Sequence, residues 1–435
     1  MTFHDLNLNR SILNALDDLG YETPTTIQER AFSPIMSGRD VMGVAQTGTG
    51  KTLGYLLPLI RLWKFQKDRF PRILVIVPTR ELVVQVVEVA KSLTTYMNFE
   101  VAGVYGGTNM KTHIRVLDNG LDMLVGTPGR VNDLALYGSL KMKHIKKLVI
   151  DEVDEMLHLG FRAQLNSIFD LLPKQRQNLL FSATMTTDVE KVIHEFFNNP
   201  LKIEAAPSGT PLENIEQSGY EIPNYYTKVN LLKHLLESDE SMTKVLIFTA
   251  TKKLADFLFN EINENFPEQI GVIHSNKSQN FRFNVVNSFH DGTYRIVIAT
   301  DIVARGIDVS EVSHVINFDL PEVPENYMHR IGRTGRADKK GNSISFITEK
   351  DADFRTSVET LMNRKIPIND VPDVVEVSDK IAEHERPQIH MPNLVKPKIS
   401  KGGAYHKKKD PATKSKLTKA QKNKKRRDRE RKNRK

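Results

Sequence analysis

Short apolar runs alternate with longer stretches of helical periodicity from about residue 20 to about residue 365. The runs at 41–45, 73–77, 101–105, 123–125, 148–150 and 179–181 predict strands. Between them, segments such as 81–96 repeat apolar positions at helical spacing. The pattern pauses at Ala-Pro-Ser-Gly-Thr-Pro, residues 206–211, a loop by composition. It resumes with predicted strands at 245–248, 271–273, 296–298, 315–317 and 343–346. After about residue 370 the periodicity fades and prolines appear.

Strands alternating with helices imply parallel βαβ units, hence an α/β chain with doubly wound sheets. The strands are continuously apolar rather than alternating, which fits sheets covered on both faces. The expected organisation is an N-terminal domain over residues 1–206 and a linker over 207–215. A C-terminal domain over 216–370 and an extension without a core over 371–435 complete it.

Composition adds exclusions. Hydrophobic residues are 39% and charged residues 26% of the 435, ordinary for a globular chain with sizeable cores. There is no cysteine, which excludes disulfides, zinc ribbons and a cysteine nucleophile. No apolar run approaches the roughly 20 residues of a membrane span. Residues 1–20 lack the apolar centre of a signal peptide. The expectation is a soluble cytoplasmic protein, or a nuclear one in a nucleated cell. The net charge of +9 hides an asymmetry: residues 401–435 hold 17 basic and 3 acidic residues, leaving 45 basic and 50 acidic over the first 400. A long one-signed tail predicts affinity for nucleic acid, with a solubilising tail as the plainer alternative.

Two segments carry chemistry. The first expected strand runs into Ala45-Gln46-Thr47-Gly48-Thr49-Gly50-Lys51-Thr52. Its end matches the phosphate-binding loop, although the strict pattern has glycine where Ala45 stands. Glycines let backbone N–H groups and a helix N-terminus approach phosphate oxygens. Lys51 would reach the β- and γ-phosphates and Thr52 would hold Mg²⁺. The strand at 148–150 ends in Asp151-Glu152-Val153-Asp154. There Asp151 suits a Mg²⁺-associated acid, partly through water, and Glu152 a base for the attacking water.

With these segments in place the chain resembles the DEAD-box RNA helicases of helicase superfamily 2, over roughly residues 3–365. Phe3 and Gly20-Tyr21-Glu22-Thr23-Pro24-Thr25-Thr26-Ile27-Gln28 resemble the family's Q motif. The resemblance implies two RecA-like domains in tandem and ATP as the nucleotide. Gln28 would read the adenine edge, with Phe3 or Tyr21 near the base; Gly306 and Asp308 would add nucleotide contacts. Pro78-Thr79-Arg80-Glu81-Leu82, Gly106-Gly107 and Thr127-Pro128-Gly129-Arg130 resemble RNA-contact motifs, as do Arg282 of a Gln-x-x-Arg segment and Thr300. Ser182-Ala183-Thr184 resembles the motif whose hydroxyls meet Asp154 and couple nucleotide to RNA. His329-Arg330-Ile331-Gly332-Arg333-Thr334-Gly335-Arg336 resembles the arginine-finger motif, in which Arg333 and Arg336 reach the γ-phosphate and His329 helps place water. From the segment alone, the forks of Arg330, Arg333 and Arg336 are expected to converge.

The signature acidic motif usually has alanine where Val153 stands; valine is expected to continue the strand and leave the chemistry intact. The implied activity is RNA-stimulated ATP hydrolysis with local unwinding of RNA. An ATP-gated RNA clamp, an RNA-annealing chaperone and a DNA helicase stand as alternatives.

Overall fold

The computed structural model describes residues 1–46, 48–205, 214–301, 312–335 and 340–385. Two seven-stranded sheets, parallel at every pairing, organise it. The first comprises β1 (Val41–Val44), β2 (Ile73–Ile76), β3 (Val101–Val104), β4 (Met123–Gly126), β5 (Lys147–Asp151), β6 (Gln177–Ser182) and β7 (Leu201–Glu204), in the order β3-β4-β2-β5-β6-β1-β7. The second comprises β8 (Ile215–Glu221), β9 (Val245–Phe248), β10 (Ile270–Ile273), β11 (Ile296–Ala299), β12 (His314–Asn317), β13 (Gly341–Ile347) and β14 (Ile368–Asn369). Its order is β10-β11-β9-β12-β13-β8-β14.

Strand residues alternate between the two faces of a sheet, and helices cover both. In the first body Val75, Val149 and Leu179 pack into one core while Leu74, Ile76, Leu148 and Ile150 pack into another. The second body repeats the arrangement, with Val245 and Ile247 on one face and Leu246 and Phe248 on the other. This double burial explains why the central strands read as unbroken apolar runs.

Three strands escape the sequence pattern. β7 and β14 are edge strands, and β8 lies next to β14 with alternating burial. A strand covered on one side only needs no continuous apolar run. The linker expected at 207–215 ends one residue inside β8; residues 206–213 lie outside the described set. The expectation that nothing after residue 370 joins a core is corrected: Val375 and Ala382 pack into the second body's core. The segment 371–385 lies along the helix Tyr225–Ser238. Glu385 Oε1 accepts from the Tyr225 amide at 2.7 Å, and Asn230 Nδ2 donates to the Glu376 carbonyl at 2.9 Å. Val153 is also corrected. It opens the helix Val153–His158 rather than continuing β5, and it is fully buried in the core.

Candidate active site

The phosphate loop leaves the C-terminal end of β1, and its last glycine caps the helix Lys51–Arg61. Gly50 has φ +86°, open to glycine, and a Cβ there would collide with the Gln28 amide. The helix Thr26–Met36 braces the loop from below. Thr25 Oγ1 donates to the Thr49 carbonyl at 2.8 Å and Gln28 Nε2 donates to the Gly50 carbonyl at 3.1 Å. Gln28 Oε1 accepts from the Thr25 amide at 2.9 Å. The side chain expected to read a base thus also holds the loop, keeping one N–H and one lone pair in hand. Of the two aromatics expected near the base, Phe3 is buried in the first body's core and Tyr21 is exposed. Ala45 is buried and bonds through its amide to the Ser182 carbonyl; Gln46 lines the cleft described below. Thr47 lies outside the described residues.

Lys51 is buried, and its Nζ has no hydrogen-bond partner among the described residues. The charges of Asp151 and Glu152 act on it, but no acceptor meets its Nζ in hydrogen-bond geometry among the described residues. Asp151 and Glu152 stand beside it at the end of β5. Burial raises the Asp151 carboxyl above its ordinary range, with Lys51 pulling it back. Burial likewise pushes Glu152 up to about 7, against the opposing charges of Lys51 and Arg333. Glu152 also holds a left-handed backbone, φ 54° and ψ 49°, while its amide donates to Asp151 Oδ1 at 3.0 Å. Left-handed residues other than glycine cost roughly 1–3 kcal/mol and cluster at functional sites. Among the described residues no cluster of three acids or histidines could hold a metal alone. Asp151, half-buried Thr52 and the orphaned Lys51 do fit a Mg²⁺ that arrives on a phosphate chain, since Mg²⁺ is usually held by one or two carboxylates plus phosphate and water.

Behind this pair, Asp154 Oδ2 accepts from the Thr184 amide at 3.0 Å and the Thr184 hydroxyl at 2.8 Å. The Ser182 hydroxyl goes elsewhere, to the Thr184 carbonyl at 2.7 Å, so one of the two expected hydroxyls meets Asp154. A cleft of about 390 Å³ opens here, lined by Gln46, Ala183 and Thr184 of the first body and His329 and Gly332 of the second.

Arg333 is buried on the second body's side, donates to the His329 carbonyl at 3.3 Å, and lowers the Glu152 pKa by its charge. Arg330 does not converge with it. Its fork grips Asp301 at 2.6 and 2.8 Å, donates to the Asp319 carbonyl at 2.6 Å, and lies 4.9 Å over the Phe248 ring. Spacing along the helix Pro324–Ile331 turns it inward, three residues from Arg333 but toward the core. Arg336, Gly306 and Asp308 lie outside the described residues. Thr300 is buried just beyond β11.

The first-body segments expected to meet RNA follow the C-terminal ends of β2, β3 and β4, while Arg282 and Thr300 follow β10 and β11 of the second. Pro78 precedes Thr79, which caps the helix Arg80–Leu93 by accepting from the Leu82 amide at 3.3 Å. The Arg80 guanidinium lies against Gly107, whose φ of +78° and missing Cβ make room for it. Thr127 is the buried cap before Pro128. Arg130 is turned inward, which departs from a direct RNA contact. It donates to His113 Nδ1 at 2.5 Å and to the Thr108 carbonyl at 2.9 Å, fixing the loop that carries Gly107. Burial and the Arg130 charge hold His113 near pKa 4, so its Nδ1 accepts and its Nε2 faces Thr108 Oγ1 at 3.2 Å.

Glu81, Gln279 and Arg282 join the bodies. Buried Glu81 Oε1 takes Arg282 Nη1 at 2.8 Å and Gln279 Nε2 at 2.9 Å, both from the helix Gln279–His290 of the second body. Arg282 is thereby an interdomain contact.

Known proteins match this arrangement. The DEAD/DEAH box helicase family model matches residues 25–192, and the helicase conserved C-terminal domain matches residues 227–338. The ATP-dependent RNA helicase eIF4A of Debaryomyces hansenii is 40% identical over 366 residues, 84% of this chain and 91% of its own. S. cerevisiae Dbp5 bound to RNA and ADP BeF3 superposes with a TM-score of 0.78 at 28% identity, covering 86% of this chain and 96% of its own. A DEAD box protein from Methanococcus jannaschii, at 36% identity over 85% of this chain and 99% of its own, reaches only 0.52. The chain belongs to the DEAD/DEAH box helicases.

Proposed function

We propose that this chain is an ATP-dependent RNA helicase that hydrolyses ATP in response to RNA and locally unwinds or remodels RNA structure. The observation that carries the reading is Lys51, a buried ammonium with an empty hydrogen-bonding sphere between two carboxylates, faced across the cleft by Arg333. A triphosphate would supply the hydrogen-bond acceptors that Nζ lacks. Asp151-Glu152-Val153-Asp154 is read as a variant of the family's acidic signature.

Roles follow from placement. Loop amides at 45–50, Lys51 and the N-terminus of its helix would bind the phosphates. Thr52 and Asp151 would orient Mg²⁺, which when bound neutralises charge on the phosphate chain. Glu152, poised near neutrality, would take a proton from the attacking water. Arg333, with Arg336 from the same motif and His329 beside it, would stabilise charge leaving the γ-phosphate; arginine fingers contribute about 10³–10⁵ in rate. Gln28, with Tyr21 at the rim, would select the base. Thr184 and Asp154 would link phosphate state to the second body. Pro78, Thr79, Arg80, Gly107, Thr127 and Thr300 would line the RNA path, with Arg130 shaping it from behind. RNA would be held by backbone and sugar contacts, hence with little sequence preference. Domain limits near 206 and 216 and a basic tail that adds RNA affinity belong to the same reading.

The test is steady-state ATP turnover at fixed moderate salt without nucleic acid, with single-stranded RNA, and with duplex DNA. Strong stimulation by RNA alone is expected. Stimulation by duplex DNA alone, or none by RNA despite tight RNA binding, overturns the helicase reading.

A further inference from the structure

The parallel first sheet has two edges. The phosphate loop and the first body's expected RNA segments leave the C-terminal ends of its strands, and the loops that enter the strands lie at the opposite edge. At that far edge, residues 61–72 lead into β2 and residues 137–146 lead into β5, and the two strands pair side by side. The two loops are tied together. The Lys146 and Lys147 amides both donate to the Arg72 carbonyl, at 2.8 and 3.0 Å, and the Phe70 ring stacks on His144 with centroids 4.3 Å apart.

Their charge is one-signed. Residues 61–72 and 137–146 together hold eight basic residues and one acid, although acids outnumber bases by 50 to 45 over the first 400 residues. The one acid, Asp68, is held by Arg72 at 2.7 Å. Lys64, Lys67, Lys143 and Lys146 are exposed. Burial and the Arg72 charge lower the His144 pKa, and Lys143 and Lys146 push the same way, so these cations share one field. A patch of like charge on an otherwise mildly acidic body attracts a polyanion. Two aromatic side chains stand in the same loops, Phe65 at 55% exposed and Tyr137 at 70%. Lys141 Nζ donates to the Gly138 carbonyl at 2.8 Å, which keeps the turn carrying Tyr137 beside the lysines. Exposed rings among lysines suit an unpaired nucleic-acid strand, whose phosphates meet the cations while its bases stack on the rings. A duplex or an acidic polypeptide would leave the rings unused.

We propose that this edge is a second RNA-binding surface, remote from the cleft. It takes the phosphates of an unpaired strand on Lys64, Lys67, Lys143 and Lys146 and stacks bases on Phe65 and Tyr137. Lysines act on phosphate as point charges and a ring accepts the face of any base, so the surface is indifferent to sequence. Taking RNA as the strand rests on the function proposed above. A chain that holds one segment in the cleft and another at the far edge keeps its RNA at high effective concentration when the cleft lets go.

The experiment uses the full chain and a variant combining Lys64→Gln, Lys67→Gln, Lys143→Gln and Lys146→Gln. Wild type is first irradiated with a mixed-sequence single-stranded RNA of about 30 nucleotides, long enough for two binding sites, and the cross-linked peptides are mapped. Base adducts at Phe65 or Tyr137 are expected. The variant is expected to bind the same RNA about tenfold more weakly at low salt. Its slope of log affinity against log salt should flatten by about 0.7 for each phosphate no longer neutralised. Its melting, and its turnover with an oligonucleotide of about 8 nucleotides, too short for both places, are expected to stay unchanged. No adduct at either ring together with an unaltered salt slope overturns the proposal. If polyglutamate is lost from the variant as fully as RNA, and neither ring forms an adduct, the surface takes an acidic protein and the RNA assignment falls. If the variant melts lower than wild type, the wild-type adducts decide alone, their presence supporting the surface and their absence overturning it. If the short oligonucleotide fails to stimulate turnover while the adducts form, the helicase reading fails and this surface stands.

Discussion

On the phosphate side of the cleft, buried polar atoms lack hydrogen-bond partners among the described residues, Lys51 Nζ and Asp154 Oδ1 among them. On the side of the expected RNA motifs, two of the three arginines are held by protein partners, while Arg80 packs against Gly107. Arg130 holds His113 and Thr108, and Arg282 holds Glu81. The first region is preorganised for a compact, highly charged ligand, whose binding completes it. In the second, guanidinium groups shape loops and join bodies. That leaves Arg80 together with backbone amides, hydroxyls and helix caps such as Thr79 and Thr127 to meet a strand. The contrast suits a site selective for one nucleotide beside a surface indifferent to RNA sequence.

The largest effect that could break this contrast comes from Lys51→Ala. Turnover should fall by about 10³-fold or more. RNA-stimulated turnover near wild type would place the phosphate site elsewhere. Glu152→Gln comes next, with turnover down about 10²–10⁴-fold and RNA retained longer in the presence of ATP. Wild-type kcat/KM should fall as pH drops through about 7, because the Glu152 carboxyl raised by burial then takes up a proton and ceases to be a base. A pH profile in the glutamine variant that keeps the same lower limb would assign that titration to another group.

Glu81→Gln sharpens the other side. It keeps the shape but removes the charge that Arg282 and Gln279 share, so the RNA-stimulated increment in turnover should fall about tenfold, more than basal turnover does. An unaltered increment would make the Glu81 bridge incidental. The smallest expected effect is from deleting residues 401–435. The slope of log affinity for single-stranded RNA against log salt should flatten by about 0.7 for each phosphate that the tail no longer neutralises. An unchanged slope returns the tail to a solubility role.

Contiguous chemistry was legible in the sequence. The loop at 45–52 and the acids at 151–154 announce themselves because each is local, follows an apolar strand and needs particular residue types in a row. The central strands were legible because burial on both faces writes itself as unbroken hydrophobicity. β7, β8 and β14, exposed on an edge or one face, leave no such trace. Partners distant in sequence were illegible for a related reason. Nothing near Glu81 points to Arg282, some 200 residues on, and nothing near Arg130 points to His113. Arg330 was misread because spacing along a motif says nothing of which side chains turn inward; its bidentate grip on Asp301 depends on β11 ending there.

Glu81 carries one consequence beyond geometry. Its carboxylate joins the two bodies, so whatever the bridge contributes belongs to the apposed arrangement alone. By linkage, whatever that bridge contributes is returned equally to both ligands. If it favours apposition by about 1.4 kcal/mol, the two binding steps each gain up to tenfold wherever apposition is scarce. Varying this one residue by charge, length and acidity would therefore tune the reciprocal affinity of RNA and nucleotide without altering an atom that either ligand meets.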